Sequence, residues 1–261
     1  MTRGFFPFLR KELVESLRTF RFVILAAVTA AFGILSPLMV KYLPAMMDAL
    51  LTEEMMGGIN LTDMMPPPSA LAGWAEFISS VAQTGVIALV VVFAGGISGE
   101  IGKNTLIPLL SRGLSRQSVV CAKAISNAVN WTLSYAVSAG LTWCAIVLLF
   151  PGEETVNVFV SLICLWLYGL LMSAVALFAS ALCKNIIGAL LVSAGAWAIT
   201  MFISLFPIFE RWNPLTLATC GITMLAGLET LAHYTPALIL TVACTFGFVI
   251  AAMLVFRRKK V

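Results

Sequence analysis

Six apolar runs alternate with segments that gather almost all of the positive charge on one side of them, and few folds satisfy that pattern. A bilayer core roughly 30 Å thick is crossed by about 20 helical residues at a rise near 1.5 Å each. The runs cover approximately residues 22–40, 77–97, 124–149, 157–182, 186–207 and 236–256. Backbone N–H and C=O groups in lipid must be satisfied within the protein, by helices or by a closed barrel. Barrel strands alternate in polarity, and the run from Ile87 to Ala94 does not. Hydrophobic residues make up 61% of the chain and charged ones 11%, whereas soluble domains hold about 25% charged residues. The expectation is an all-α membrane protein, one transmembrane domain over residues 1–261.

Charge sets the orientation. With six spans, both ends of the chain share one side, and that side collects Arg3, Arg10, Lys11, Arg18, Arg21, Lys103, Arg112, Arg116, Lys123, Lys184, Arg257, Arg258, Lys259 and Lys260. Only Lys41 and Arg211 fall opposite. Lys and Arg mark the cytoplasmic side, so a multi-pass protein of the cell membrane with both termini cytoplasmic is expected. The first run is longer than a signal-peptide core and lacks an obvious small-residue cleavage site, so it is expected to stay as a span. Six scattered cysteines without a CxxC pair point to neither a disulfide framework nor a zinc site.

Several segments carry more than hydropathy. In the lead sequence, Leu9, Leu13, Leu17 and Phe20 recur at helical spacing while Arg10, Lys11, Glu15, Arg18 and Arg21 fall mostly on other faces. That pattern predicts a helix lying in the membrane interface, as an anchor or as a partner contact. Between the second and third runs, SGEIGKNTLIPLLSRGLSRQ is too long for a minimal helix connection. Leu106, Leu109 and Leu110 share one helical face there, Gly113 can end that helix, and Ser115 can cap the next. The leucines need a groove, in a partner or on the protein's own spans.

On the third run, Ala124, Ala128, Thr132, Ala136 and Gly140 form a small-residue stripe suited to close helix packing. Asn127, Asn130, Ser134 and Ser138 line a neighbouring face that could meet a polar solute, although interhelical hydrogen bonds are the commoner use. No ionisable residue lies deep in a span, and Pro37 and Pro207 fall near span ends. The first outer loop, about residues 41–76, holds three methionine pairs, which read as flexible packing rather than a copper site. Trp74 is expected as an interfacial anchor after the prolines 66–68. Residues 216–228 are too short and too polar to span and suit a re-entrant or interfacial helix. His233 stands without a second metal ligand.

The loop between the second and third runs is where the chain resembles a known family. Glu100, Thr105-Leu106, Leu109-Leu110 and Ser115-Arg116, followed by Lys123, are similar to the ExxxGTLxxLLxxPxSR pattern of ABC-2 type permeases, the membrane subunits of ATP-binding-cassette exporters. Asn104 and Gly113 stand where that pattern has Gly and Pro, and both remain turn formers. The start (Lys11, Glu12, Leu13, Glu15, Arg18), the six spans and the outer segment PPPSALAGWAEFISSVAQTG extend the resemblance.

What the resemblance implies is a coupling helix within residues 99–116, seated in a groove of a separate ATPase subunit. Leu106, Leu109 and Leu110 would be its apolar contacts, Asn104 and Thr105 its turn, and Glu100, Arg112 and Arg116 its polar rim. The lead helix, through Leu9, Leu13, Leu17 and Arg18, would flank the same ATPase. A second permease subunit, identical or not, would complete the pathway, and Trp212, Leu217, Met224 and Leu225 would border its exit. No phosphate-binding GxxxxGK[ST] motif occurs, so ATP and Mg are expected on the partner, with no cofactor, catalytic or metal residue on this chain and no nucleic-acid partner. Two other classes stay open. One is a scaffold or sensor subunit that pairs with an ATPase and moves nothing. The other is an intramembrane enzyme, disfavoured because Glu153-Glu154 lacks a following Arg motif and His233 has no Ser or Cys dyad.

Overall fold

The structure, a computed structural model, describes residues 4–50, 67–102, 105, 115–153, 155, 157–209, 211–225, 227 and 231–259. All regular elements among them are helices. Six are long and apolar enough to cross a membrane: Arg21–Met47, Ala70–Gly102, Arg116–Leu149, Val158–Leu182, Ile186–Ser204 and Ala232–Arg258. The protein is therefore an all-α membrane protein, and these helices are called the first to sixth spans below. A lead helix, Phe5–Arg18, precedes them, and a ten-residue helix, Thr216–Leu225, lies before the sixth and is called the outer helix after the side the charge pattern predicts for it.

Local chemistry starts and stops the spans. Ser69 Oγ accepts from the Ala72 N–H at 3.2 Å, Ser115 Oγ from the Ser118 N–H at 3.1 Å, and Asn185 Oδ1 from the Gly188 N–H at 2.9 Å. Each side chain satisfies a donor that the first helical turn leaves open. Lysines close other ends: Lys41 Nζ donates to the Leu149 carbonyl at 2.8 Å, and Lys259 Nζ to the Ala181 and Cys183 carbonyls at 2.8 and 2.6 Å. Placing a cation at a helix C-terminus also suits the helix dipole.

Several boundaries differ from the sequence reading. The first helix runs unbroken from Arg21 to Leu50 with Pro37 and Pro44 inside it, where Pro37 was expected near a span end. Each proline removes one donor only, and packing against a neighbouring span keeps the helix intact. Lys41 is consequently on a helix rather than a loop. The second span opens at Ala70 instead of 77, and Trp74, expected as an interfacial anchor, is packed into the core at 1% exposure, edge-on to Phe77 and Trp143. The third span opens at Arg116 instead of 124 because Ser115 caps it, and the fifth ends at Ser204 instead of 207.

The first span lies along the third, and the fourth is central, packed by the second, third, fifth and sixth and by the outer helix. Backbones approach closely where side chains vanish. A Cβ on Gly33 would sit 2.7 Å from the Ser138 carbonyl oxygen, and one on Gly169 would sit 2.2 Å from the Trp131 ring. Polar side chains at these contacts are used up internally. Ser138 Oγ donates to the Thr29 carbonyl at 2.8 Å, Trp131 Nε1 to the Trp166 carbonyl at 3.0 Å, and Tyr135 OH to the Leu162 carbonyl at 2.9 Å. In lipid, where both partners are apolar, such packing and hydrogen bonding replace the hydrophobic effect as the source of helix association. The outer helix buries Leu217 and Met224 beside Cys164, Tyr234 and Ala237.

Candidate functional site

At the basic end of the bundle the lead helix turns a polar face inward. Phe8, Glu12 and Ser16, four residues apart, are its buried positions. Phe6, Leu17 and Phe20 are exposed on one flank, with Leu9 and Leu13 partly covered, and Arg10 and Arg18 are exposed. The helix thus has one buried face, one exposed apolar flank and one exposed charged flank, a pattern that suits an interfacial helix. Phe20 joins it to the first span with φ +59°, a left-handed turn that costs a bulky residue roughly 1–2 kcal/mol and fixes a sharp elbow.

Glu12 meets Lys123, which lies in the second turn of the third span and is 2% exposed. Lys123 Nζ is 2.8 Å from Glu12 Oε2 and 2.9 Å from Glu100 Oε1, so one ammonium joins the lead helix to the end of the second span. Lys11 adds Glu12 at 3.3 Å, Glu100 at 3.5 Å and a close contact to Glu15. Both ammoniums also stand over the Phe8 ring, at 5.4 and 6.0 Å from its centroid. Ser16 Oγ donates to Asn130 Oδ1 at 3.0 Å beside this cluster. Burying an ion costs several kcal/mol, and it is tolerated here because each has a counter-ion and further hydrogen bonds.

Partial burial alone would lower the Lys11 ammonium, but its hydrogen bond to Glu15 and the charges of Glu12 and Glu100 outweigh that and hold it above its ordinary value. Partial burial likewise opposes ionisation of Glu15, and Lys11 overrides it, holding the carboxyl below its ordinary value of 4.5. A carboxylate lowered on folding contributes stability above its unfolded value and loses it as pH falls through the folded one. Acid titration followed by thermal unfolding in detergent should therefore show a loss below about pH 4.5 that is smaller in Glu15→Gln. Oxygens of Glu12, Glu15 and Glu100 all lie within 4.8 Å of one another, a spacing a cation could use. Lys11 and Lys123 already occupy the neutralising positions.

Glu100 and Arg116, expected on the rim of a coupling helix, are both turned to the protein itself. Glu100 is 8% exposed, and its carbonyl accepts from the Thr105 N–H at 3.1 Å, closing the stem. The Arg116 guanidinium donates to the Phe256 carbonyl at 3.2 Å and to that of Lys259, capping the sixth span. Asn104, Leu106, Leu109, Leu110 and Arg112 lie outside the described residues, as do Met55-Met56, Met64-Met65 and Glu154. Arg116→Ala is expected to loosen the sixth span by about 1 kcal/mol, read as a drop in thermal midpoint in detergent.

The polar residues proposed for a pathway on the third span are otherwise employed. Asn130 holds Ser16, Ser134 is fully buried with its carbonyl accepting from Thr29 Oγ1 at 3.3 Å, and Asn127 borders a cavity of about 20 Å³, room for about one water, beside the ion cluster. Asn130 is spent on an interhelical hydrogen bond, and Ser134 is packed away with its hydroxyl unpartnered. Of the outer residues, Leu217, Met224 and Leu225 are buried, and Trp212 is exposed.

A different polar strip is uncovered. On the second span, Glu76, Ser79, Ser80, Gln83 and Thr84 recur at i, i+3, i+4, i+7 and i+8; Glu76, Gln83 and Thr84 are exposed and both serines half-buried. Ser80 Oγ donates to Glu76 at 3.2 Å and Gln83 Nε2 to Ser79 at 3.2 Å, each within the strip. Gln83 lies in a single π-turn, Val81–Gly85, a local widening of the helix that is common at functional sites. It is 13 residues from the Ala70 end of the 33-residue Ala70–Gly102 span, about 20 Å along the axis. Below it the exposed Ile87 and Val91 join Leu191, Ala194 and Trp197 of the fifth span around an open apolar groove of about 300 Å³. The helical spacing of these five polar residues is legible in the sequence, whereas their exposure follows only from the packing of the spans.

No family model matches the chain. It is similar to the uncharacterized transmembrane protein YxlG of Bacillus subtilis (strain 168), with 22% identity over 255 residues that cover 96% of each chain.

Proposed function

We propose that this chain is the permease subunit of an ATP-driven exporter of the ABC-2 type, seated in the cell membrane with its basic end in the cytoplasm. In this reading it forms half of a translocation pathway, completed by a second permease subunit. A separate ATPase carries ATP and Mg and acts on the loop between the second and third spans. The observation that carries it is the uncovered strip through Gln83. Amide, hydroxyl and carboxylate groups facing hydrocarbon are costly, so a strip of them on a span belongs against water or another chain. The fifth and sixth spans, each only 11% buried within the single chain, leave room for such a partner.

The reading is tested by cysteine accessibility and by purification. In a chain with its native cysteines replaced, Gln83→Cys should react with a membrane-impermeant maleimide, whereas Leu133→Cys, exposed on the third span, should not. Protection of Gln83→Cys under all conditions would remove the pathway. The tagged chain should co-purify with a nucleotide-hydrolysing subunit, and Leu106→Glu or Leu109→Glu should cut that recovery about tenfold, since a buried apolar contact replaced by a charge costs more than 1.4 kcal/mol. A scaffold or sensor would bind the same subunit without ATP-dependent change at Gln83→Cys.

A further inference from the structure

We infer that Lys123 is a positioning residue for coupling, which carries motion of the loop stem to the lead helix and, through it, to the first span. The inference rests on the reading above, in which the loop at residues 103–114 is where the ATPase acts.

The second span does not run straight into that loop. Its helix ends at Phe93, a turn over 94–97 bearing Gly95 and Gly96 follows, and the stem Ser98–Gly102 is a separate turn of helix. Ile97 and Ile101 pack into the apolar cluster that holds Phe8, and Gly99 lies against Ile186. Two polar contacts add to that packing. Ser180 Oγ on the fourth span accepts from the N–H groups of Ile97 and Ser98 at 2.8 and 2.9 Å, pinning the hinge, and Lys123 grips Glu100 at 2.9 Å, pinning the far end. The same ammonium grips Glu12 at 2.8 Å. A swing of the stem about its pinned hinge therefore moves Glu100, and Lys123 and Glu12 with it, before any exposed contact is strained.

The lead helix has a matching construction. It is bound to the bundle at its middle by this cluster and by Ser16 with Asn130, and it passes into the first span through the Phe20 elbow. The polar path from loop to first span thus runs through Glu100, Lys123 and Glu12 in series. Lys11 offers a parallel link to Glu100, longer at 3.5 Å and with its side chain 43% exposed, so it is weakened by solvent. Glu100 Oε2 is buried without a hydrogen-bond partner, leaving the carboxylate one free oxygen with which to follow a displaced stem.

The test uses the complex co-purified through a tag on the Gln83→Cys chain, labelled with a membrane-impermeant maleimide with and without ATP and vanadate. The parent should show a nucleotide-dependent change in labelling rate. Glu12→Gln should shrink that change about fivefold or more, the low end of ordinary allosteric coupling, while the co-purified ATPase hydrolyses at the parent rate. Glu12→Gln combined with Glu100→Gln should be no worse than Glu100→Gln alone, as for links in series, and Lys123→Arg should keep the response. A full nucleotide response in Glu12→Gln overturns the inference and leaves the proposed function standing. If Glu12→Gln fails to accumulate, Glu12→Asp, which keeps the charge but withdraws it, is read in the same way. If the parent recovers no ATPase, the proposed function fails first and the inference with it.

Discussion

Gly169→Leu is expected to abolish accumulation of folded protein. A Cβ at this position would lie 2.2 Å from two carbons of the Trp131 ring and 2.5 Å from its nitrogen, and the ring is fully buried between the third and fourth spans. It is also tied in place, since Nε1 donates to the Trp166 carbonyl and Trp166 Nε1 donates to Thr132 Oγ1, each at 3.0 Å. The indole cannot retreat without breaking a hydrogen bond in lipid and displacing Tyr135, stacked on it at 5.3 Å. Overpacking of this kind costs about 1–3 kcal/mol, and loss of the buried hydrogen bond adds about 1–3 kcal/mol. Together they consume most of the total where stability lies near the low end of the usual range of about 5–15 kcal/mol. Gly140→Ala is the matched control: nothing lies within 4 Å of its added Cβ, and alanine favours the helix by about 1 kcal/mol. Fluorescence-detected size exclusion should show the first variant aggregated or absent and the second at parent level. Normal behaviour of Gly169→Leu would mean that the third and fourth spans do not meet in this register.

Lys123→Met should cost about 3–5 kcal/mol of stability, more than any substitution among the exposed cations. Methionine fills the same volume, so the loss isolates charge from packing. It leaves Glu12 and Glu100, 6% and 8% exposed, facing each other with only the half-exposed Lys11 to compensate. Thermal unfolding in detergent is the measurement, with Lys184→Met as the comparison, because Lys184 is exposed and should change the midpoint little. Equal midpoints for the two variants would show that the cluster is solvated and holds nothing together.

The apolar runs fixed where the spans fall to within a few residues at most ends, because a bilayer demands about 20 residues of helix whatever the neighbours are. Caps were equally readable: Ser115 begins the third span because a serine hydroxyl satisfies the first open donors wherever it stands. The lead helix was recognisable as amphipathic, yet its most informative face was not. Glu12 was visible only as a charge near a membrane, and nothing in its spacing announced a partner 111 residues away. Trp74 looked like an interfacial anchor for the same reason, since composition describes a residue and not what surrounds it.

Hydropathy and charge by themselves determined an all-helical chain with six crossings and one basic end, since both follow from the solvent that each segment must occupy. Only the tertiary structure decided which polar groups are spent on the protein itself and which remain uncovered. Asn130 and Ser134 were turned into the helix packing, Glu100 and Arg116 into clasps, and the strip from Glu76 to Thr84 was left bare. The physical reason is that a hydrogen bond or ion pair is short-ranged and directional. Its partner is set by the approach of helices far apart in sequence, and no local pattern specifies that approach.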